Sequence, residues 1–235
     1  MIVADKIVKS YNGNKILNEI SLELNRGEIS VLFGPSGCGK TTLCRNLTML
    51  EYPDSGTLKV DEQFYQFPSK NNFPVMPFPK VNMVFQQLFL WPHLTNEQNI
   101  KLAINDFNKE KNERFEYLTK LLKIDDILTQ YPNESSLGQK QRVAIARVLI
   151  LDPEFIFFDE MTSALDIVQT NNIVKILLKL KDVGMGILII THNINFMERV
   201  ADKLLFMYDG KIIETGNKNI IKKPQTEILK KFLGI

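Results

Sequence analysis

Apolar residues recur along this chain in two rhythms. Up to Phe33 they form the short blocks KIVKSY, EISLEL and ISVLF, either alternating or unbroken, with NGN as a turn signal after the first. These blocks predict an antiparallel β layer that feeds a buried core strand. TTLCRNLTML then shifts to helical spacing, and PDSG followed by TLKV predicts a turn and a strand. From Gln63 to Lys80 the pattern dissolves. Pro68, Pro74, Pro77 and Pro79 exclude a regular helix or a central strand there, which predicts an irregular surface loop. VNMVF returns as a buried strand, and the stretch from about Thr95 to Leu151 is mostly helical in pattern.

The last third alternates strand and helix through EFIFFDE, IVQTNNIVKILLKL, GILIITH, INFMERVA, KLLFMYD and KIIETG. Continuous apolar strands such as FIFF and ILII suit a sheet buried on both faces, so the core is expected to be α/β. The chain has no internal repeat and no low-complexity tail.

Chemistry enters at Gly34-Pro35-Ser36-Gly37-Cys38-Gly39-Lys40-Thr41, which fits G-x-x-x-x-G-K-[ST] between an apolar strand and a helix. Glycines let successive backbone N–H groups turn inward around phosphates, and the helix N-terminus adds a favourable dipole. Lys40 is expected to reach the β and γ phosphates, and the Thr41 hydroxyl to coordinate Mg²⁺. A second motif, Phe155-Ile-Phe-Phe-Asp159-Glu160, ends an apolar strand in two carboxylates, at the sheet edge where the phosphate loop also lies. Asp159 is expected to point toward Mg²⁺ from outside its direct ligands or through water, and Glu160 to act as general base on the attacking water. These two motifs define a very large P-loop class that includes kinases and GTPases, and alone they do not choose among its members.

Composition narrows the setting. The 235 residues include 29 basic and 27 acidic side chains, a formal net charge of +2 that argues against nucleic acid as a partner. The two cysteines, Cys38 and Cys44, both fall in the phosphate-loop region, which fits a reducing compartment. The N-terminus lacks a signal-peptide core, and no apolar run reaches the ~18 residues of a membrane span. A membrane role is therefore expected to come through a partner.

Tyr11, GPSGCGKTT, VFQQ, SSLGQKQRVAIAR, FIFFDE, TSALD and the His of IITHN together resemble the ATP-binding-cassette family over essentially the whole length. The resemblance implies a single domain over 1–235. Its P-loop core, 1–86 and 152–235, would have a mostly parallel sheet and an N-terminal antiparallel β layer, with an inserted α-helical subdomain at 87–151.

It also implies that Tyr11 stacks on adenine, although that residue taken alone reads rather as a core tyrosine. Gly34 to Thr42, including Thr42 itself, would hold the ATP phosphates. Gln86 would contact Mg²⁺ and the attacking water, and His192 the γ phosphate. The family signature LSGGQ stands here as Ser135-Ser136-Leu137-Gly138-Gln139, with Ser136, Gly138 and Gln139 retained for a γ phosphate. Leu137 replaces a glycine and is expected to obstruct that contact or to forbid a positive φ. Asp166, ending SALD, would line the seam of a head-to-tail dimer, since signature and P-loop of one protomer lie too far apart to share a nucleotide.

Family likeness further implies importer work on polar amino acids at the cytoplasmic face of the cell membrane. Permease subunits, a second copy of the chain and, indirectly, a solute-binding protein would be the partners. LFLWPHLT resembles the stretch that helps form the groove for a permease helix. Two other readings remain: a soluble cassette acting on nucleic acid or ribosomes, and a binding-only cassette disabled at Leu137.

Overall fold

The computed structural model describes residues 1–69, 74–104, 108–161 and 166–235. The first part runs β1 (Ile2–Tyr11), β2 (Asn14–Leu24), β3 (Ile29–Phe33), α1 (Lys40–Leu47), β4 (Ser55–Val60), β5 (Gln63–Phe67) and β6 (Val81–Val84). Helices α2 (Asn96–Lys101), α3 (Lys109–Leu122) and α4 (Leu137–Leu149) follow, with two short 3-10 turns between α3 and α4. The rest comprises β7 (Phe155–Asp159), α5 (Ile167–Asp182), β8 (Gly186–Ile190), α6 (Ile194–Val200), β9 (Lys203–Tyr208), β10 (Lys211–Gly216), α7 (Asn219–Lys222) and α8 (Glu227–Leu233).

Two sheets result. One is antiparallel in the order β2-β1-β4-β5, and the other has the order β10-β9-β3-β8-β7-β6. All neighbours in the second sheet are parallel except β10, which runs antiparallel to β9. One expectation needs correction: Gln63–Phe67 is not loop but the edge strand β5, registered from Gly56↔Phe67 to Val60↔Gln63. The prolines begin only at Pro68, so the five residues before it keep every N–H for pairing.

The parallel strands are buried on both faces, as their unbroken apolar runs require. Along β7 the side chains alternate: Phe155 and Phe157 join the core beneath the antiparallel sheet and α1, while Ile156 and Phe158 join the core under α4 and α5. Because β3, β7 and β8 are mutually parallel neighbours, their carboxyl ends emerge at one edge. Gly34, Glu160 and His192 follow those ends, which brings the three motifs together.

Residues after β10, to which the apolar pattern assigned no element, carry α7 and α8. Glu214 of β10 is buried and anchors this segment, accepting from the N–H groups of Gln225 and Thr226 at 3.0 Å each and from the Thr226 hydroxyl at 2.8 Å. Phe232 of α8 packs on Phe206, with ring centroids 5.3 Å apart, and on Phe33 at 6.2 Å, just ahead of the Gly-rich loop.

Candidate functional site

Strand β3 delivers the chain into the Gly-rich loop, and α1 carries it away. At Gly34 (φ 151°) a Cβ would lie 1.9 Å from the Met207 carbonyl oxygen, so only glycine lets the loop pass β9 this closely. Gly39 caps α1 with a left-handed φ of 107° and starts the helix at Lys40. Lys40 is buried, and its ammonium donates to the carbonyls of Gly34 at 2.9 Å and Pro35 at 2.8 Å. The loop thus holds its own cation in the place where phosphate oxygens would compete for it. Cys38 lies beside it, Sγ 3.9 Å from Nζ, and burial raises the thiol pKa.

The acids stand across the cleft. Asp159 is buried and accepts a hydrogen bond from Thr41 Oγ1 at 2.9 Å. Burial pushes its carboxyl above the usual range, and the neighbouring Glu160 charge adds to that, against the Thr41 bond and the more distant Arg45 and Lys40 charges. Glu160 takes a left-handed φ of 47° while its N–H donates to Ile190 O at 3.0 Å, a turn that swings its carboxylate away from the strand. Such a conformation costs about 1 kcal/mol outside glycine and persists where the surroundings fix it. Gln86 Nε2 donates to Glu160 Oε2 at 3.3 Å, and His192 Nδ1 lies 3.8 Å from Glu160 Oε1. A cleft of about 360 Å³ opens between Tyr11, Ser36, Lys40, Thr41, Thr42 and Glu160.

Tyr11 is not a core tyrosine. It is 41% exposed, lines this cleft, and donates to Glu51 Oε2, while Arg45 holds the other oxygen, Glu51 Oε1, at 3.0 Å.

The structure does not bring the signature residues to this cleft. Ser136 caps α4, its Oγ accepting from Gln139 N at 3.3 Å while Gln139 Oε1 accepts from Ser136 N at 2.7 Å, a reciprocal capping box. Both side chains therefore stabilise the helix start within this chain. Gly138 is covered by Gln169: an added Cβ would meet that amide at 2.7 Å. Leu137 corrects an expectation. It is the first residue of α4 and is absent from the positive-φ positions, so its backbone needs no glycine, and its side chain is 43% exposed. Asp166 caps α5 by accepting from Gln169 N at 2.7 Å; the rest of SALD, residues 163–165, lies outside the described residues.

Two residues that the sequence offered only as helix pattern tie these parts together. Gln141 Nε2 donates to Met161 O at 2.8 Å in a buried contact, linking α4 to the residue after Glu160. Arg147 donates to Leu88 O and Phe89 O, both at 2.7 Å, linking α4 to the segment after Gln86. A polar residue on the inward face of an apolar helix was the signal for Gln141.

The ABC transporter family model matches residues 17–163, more than half of the chain. The chain belongs to the ABC transporter family. This cassette is 37% identical to the arginine transport ATP-binding protein ArtM of Bacillus subtilis, covering 99% of this chain and 98% of the relative. It is 39% identical to the glutamine transport ATP-binding protein GlnQ of Escherichia coli, covering 99% and 98%. Among solved structures, a dimeric ATP-binding cassette in a post-hydrolysis state with ADP and phosphate superposes with a TM-score of 0.80 at 27% identity, covering 93% of this chain and 99% of that one.

Proposed function

We propose that this cassette is the ATP-hydrolysing subunit of a membrane importer for polar amino acids. The observation that carries the reading is that Lys40, Thr41 and Glu160 line one cleft, with Asp159 bonded to Thr41 and with Gln86 and His192 beside Glu160. Phosphates entering the Gly-rich loop exchange the Gly34 and Pro35 carbonyls for stronger partners of the Lys40 ammonium. The adenine rests on Tyr11, which lines the cleft. Glu160 takes the proton of the water that attacks the γ phosphorus, Gln86 and His192 orient that water, and ADP leaves with the displaced oxygen.

The donors fit Mg²⁺. Thr41 and Asp159 present oxygen, and Mg²⁺ characteristically takes one or two protein ligands and completes its shell with waters and phosphate. When bound, the ion neutralises charge developing on the phosphate oxygens.

Signature residues Ser136, Gly138 and Gln139 point this reading to a head-to-tail dimer of identical chains. Each chain would then offer its α4 N-terminus and Asp166 to the nucleotide held by the other. ATP closes such a pair because its γ phosphate makes contacts that ADP lacks. Residues 87–151 act as the lobe that passes the motion on. A groove of about 300 Å³ lined by Phe78, Phe85, Leu88, Phe89 and Arg147 suits an apolar helix of a permease subunit. No helix among the described residues is long and apolar enough to cross a membrane. In this reading the cassette works at the cytoplasmic face of the membrane on its permease subunits, with a solute-binding protein acting beyond the permease.

Polar amino acids are the cargo because the relatives at 37–39% identity include arginine, glutamate and glutamine transport ATP-binding proteins, each matched over nearly its whole length. The test is reconstitution with the cognate permease in vesicles and uptake of labelled arginine, glutamate and glutamine. ATP-dependent accumulation of at least one supports the reading; hydrolysis without movement of any of them rejects it.

A further inference from the structure

One flank of the molecule gathers four cationic side chains around a single cleft. A cleft of about 410 Å³ lies between the end of α3, the first half of α4 and α5. The buried Leu122 and Ile176 give it an apolar floor, and Lys123, Arg142, Lys175 and Lys179 line it together with a single acid, Asp182. Among the described residues no carboxylate stands within ion-pair distance of any of the four cations, and Arg142 Nε is shut from solvent without a hydrogen-bond partner. Burial holds the Arg142 guanidinium below its ordinary pKa, opposed only by the field of Asp126.

The adjoining cleft shows that this is a local choice. There Arg114 pairs with Asp152 at 2.7 Å and donates to Leu149 O, while Arg26 pairs with Asp61 at 2.7 Å and with Glu154. Both arginines of that cleft are paired within the chain, whereas Arg142 is not; Lys179 lines both clefts. Lys175 and Lys179 stand four residues apart on α5, a like-charge spacing that destabilises a helix unless an anion sits between them. A partly desolvated guanidinium carries the same unmet demand.

We propose that this cleft binds a small organic carboxylate with an apolar tail, the head group held by Arg142, Lys175 and Lys179 and the tail lying on Leu122 and Ile176. Its volume lies in the range of small-molecule pockets, and a planar carboxylate matches the guanidinium fork. None of its lining residues belongs to the nucleotide cleft, so both can be filled at once.

The test titrates decanoate into the chain saturated with Mg-ADP and follows heat by calorimetry. We expect one saturable site and an affinity about tenfold lower in Arg142→Gln and in the double variant Lys175→Gln/Lys179→Gln, the loss of roughly one charge-assisted contact. Decan-1-ol, with the tail but no charge, should bind at least about tenfold more weakly. No saturable binding, equal binding of the alcohol, or an unchanged affinity in the double variant overturns the proposal. The two lysines are exposed, so the double variant decides alone if Arg142→Gln fails to fold.

Discussion

The Thr41 hydroxyl donates to the Asp159 carboxylate at 2.9 Å, joining the phosphate loop to an acid 118 residues later in the chain. Asp159 sits there at a cost, since burial and the Glu160 charge both disfavour its ionised form. Its folded pKa is raised, so the folded state binds the proton more readily and loses stability as pH rises through that window. Asp159→Asn keeps an acceptor for Thr41 and removes the charge. We expect its nucleotide-free Tm to exceed the wild-type value by a few degrees at pH 8, with the gap closing as the pH falls, while Mg²⁺-dependent hydrolysis is lost. Paired melts at pH 8 and pH 5 check this; a destabilised variant at pH 8 would contradict it.

Leu137 offers a second prediction. Because it begins α4 in ordinary helical backbone with its side chain exposed, replacing it by glycine should lower stability by no more than about 1 kcal/mol. We expect the same variant to raise ATP turnover several-fold, since it clears the surface that the proposed partner nucleotide approaches. Steady-state phosphate release checks it, and an unchanged rate would show that the side chain does not obstruct closure.

Much of this was legible in the sequence, for a physical reason. The Gly-rich loop, the FIFFDE strand end and IITH each carry a local pattern, and parallel pairing of β3, β7 and β8 brings their ends to one edge. Three things were not legible. β5 was hidden by the prolines that follow it. The placement of Tyr11 depends on Glu51 and Arg45, which no spacing connects to it. The bonding partners of Gln141 and Arg147 are backbone carbonyls of Met161, Leu88 and Phe89; an inward polar position marks Gln141, but backbone acceptors leave no mark in a sequence.

Glu214 gives a prediction outside the site. Burial pushes its carboxyl up, but the N–H groups of Gln225 and Thr226 and the Thr226 hydroxyl outweigh that and hold it below the usual value. A depressed folded pKa stabilises the protein above the unfolded value of about 4.3 and is lost as the pH falls below it. Glu214→Gln should therefore cost about 1–3 kcal/mol at pH 7 and little near pH 3. Denaturant unfolding at the two pH values measures the difference, and an equal cost at both would count against an ionic anchor.

The most direct measurement concerns Glu160, held between Gln86 and His192. Glu160→Gln keeps the shape of the side chain but cannot take a proton from water. Sized in the presence of ATP and Mg²⁺, the variant should run as a stable dimer, and its phosphate release should fall on the order of 10²-fold or more. A monomer that hydrolyses ATP at the wild-type rate would contradict both the role of Glu160 and the shared site.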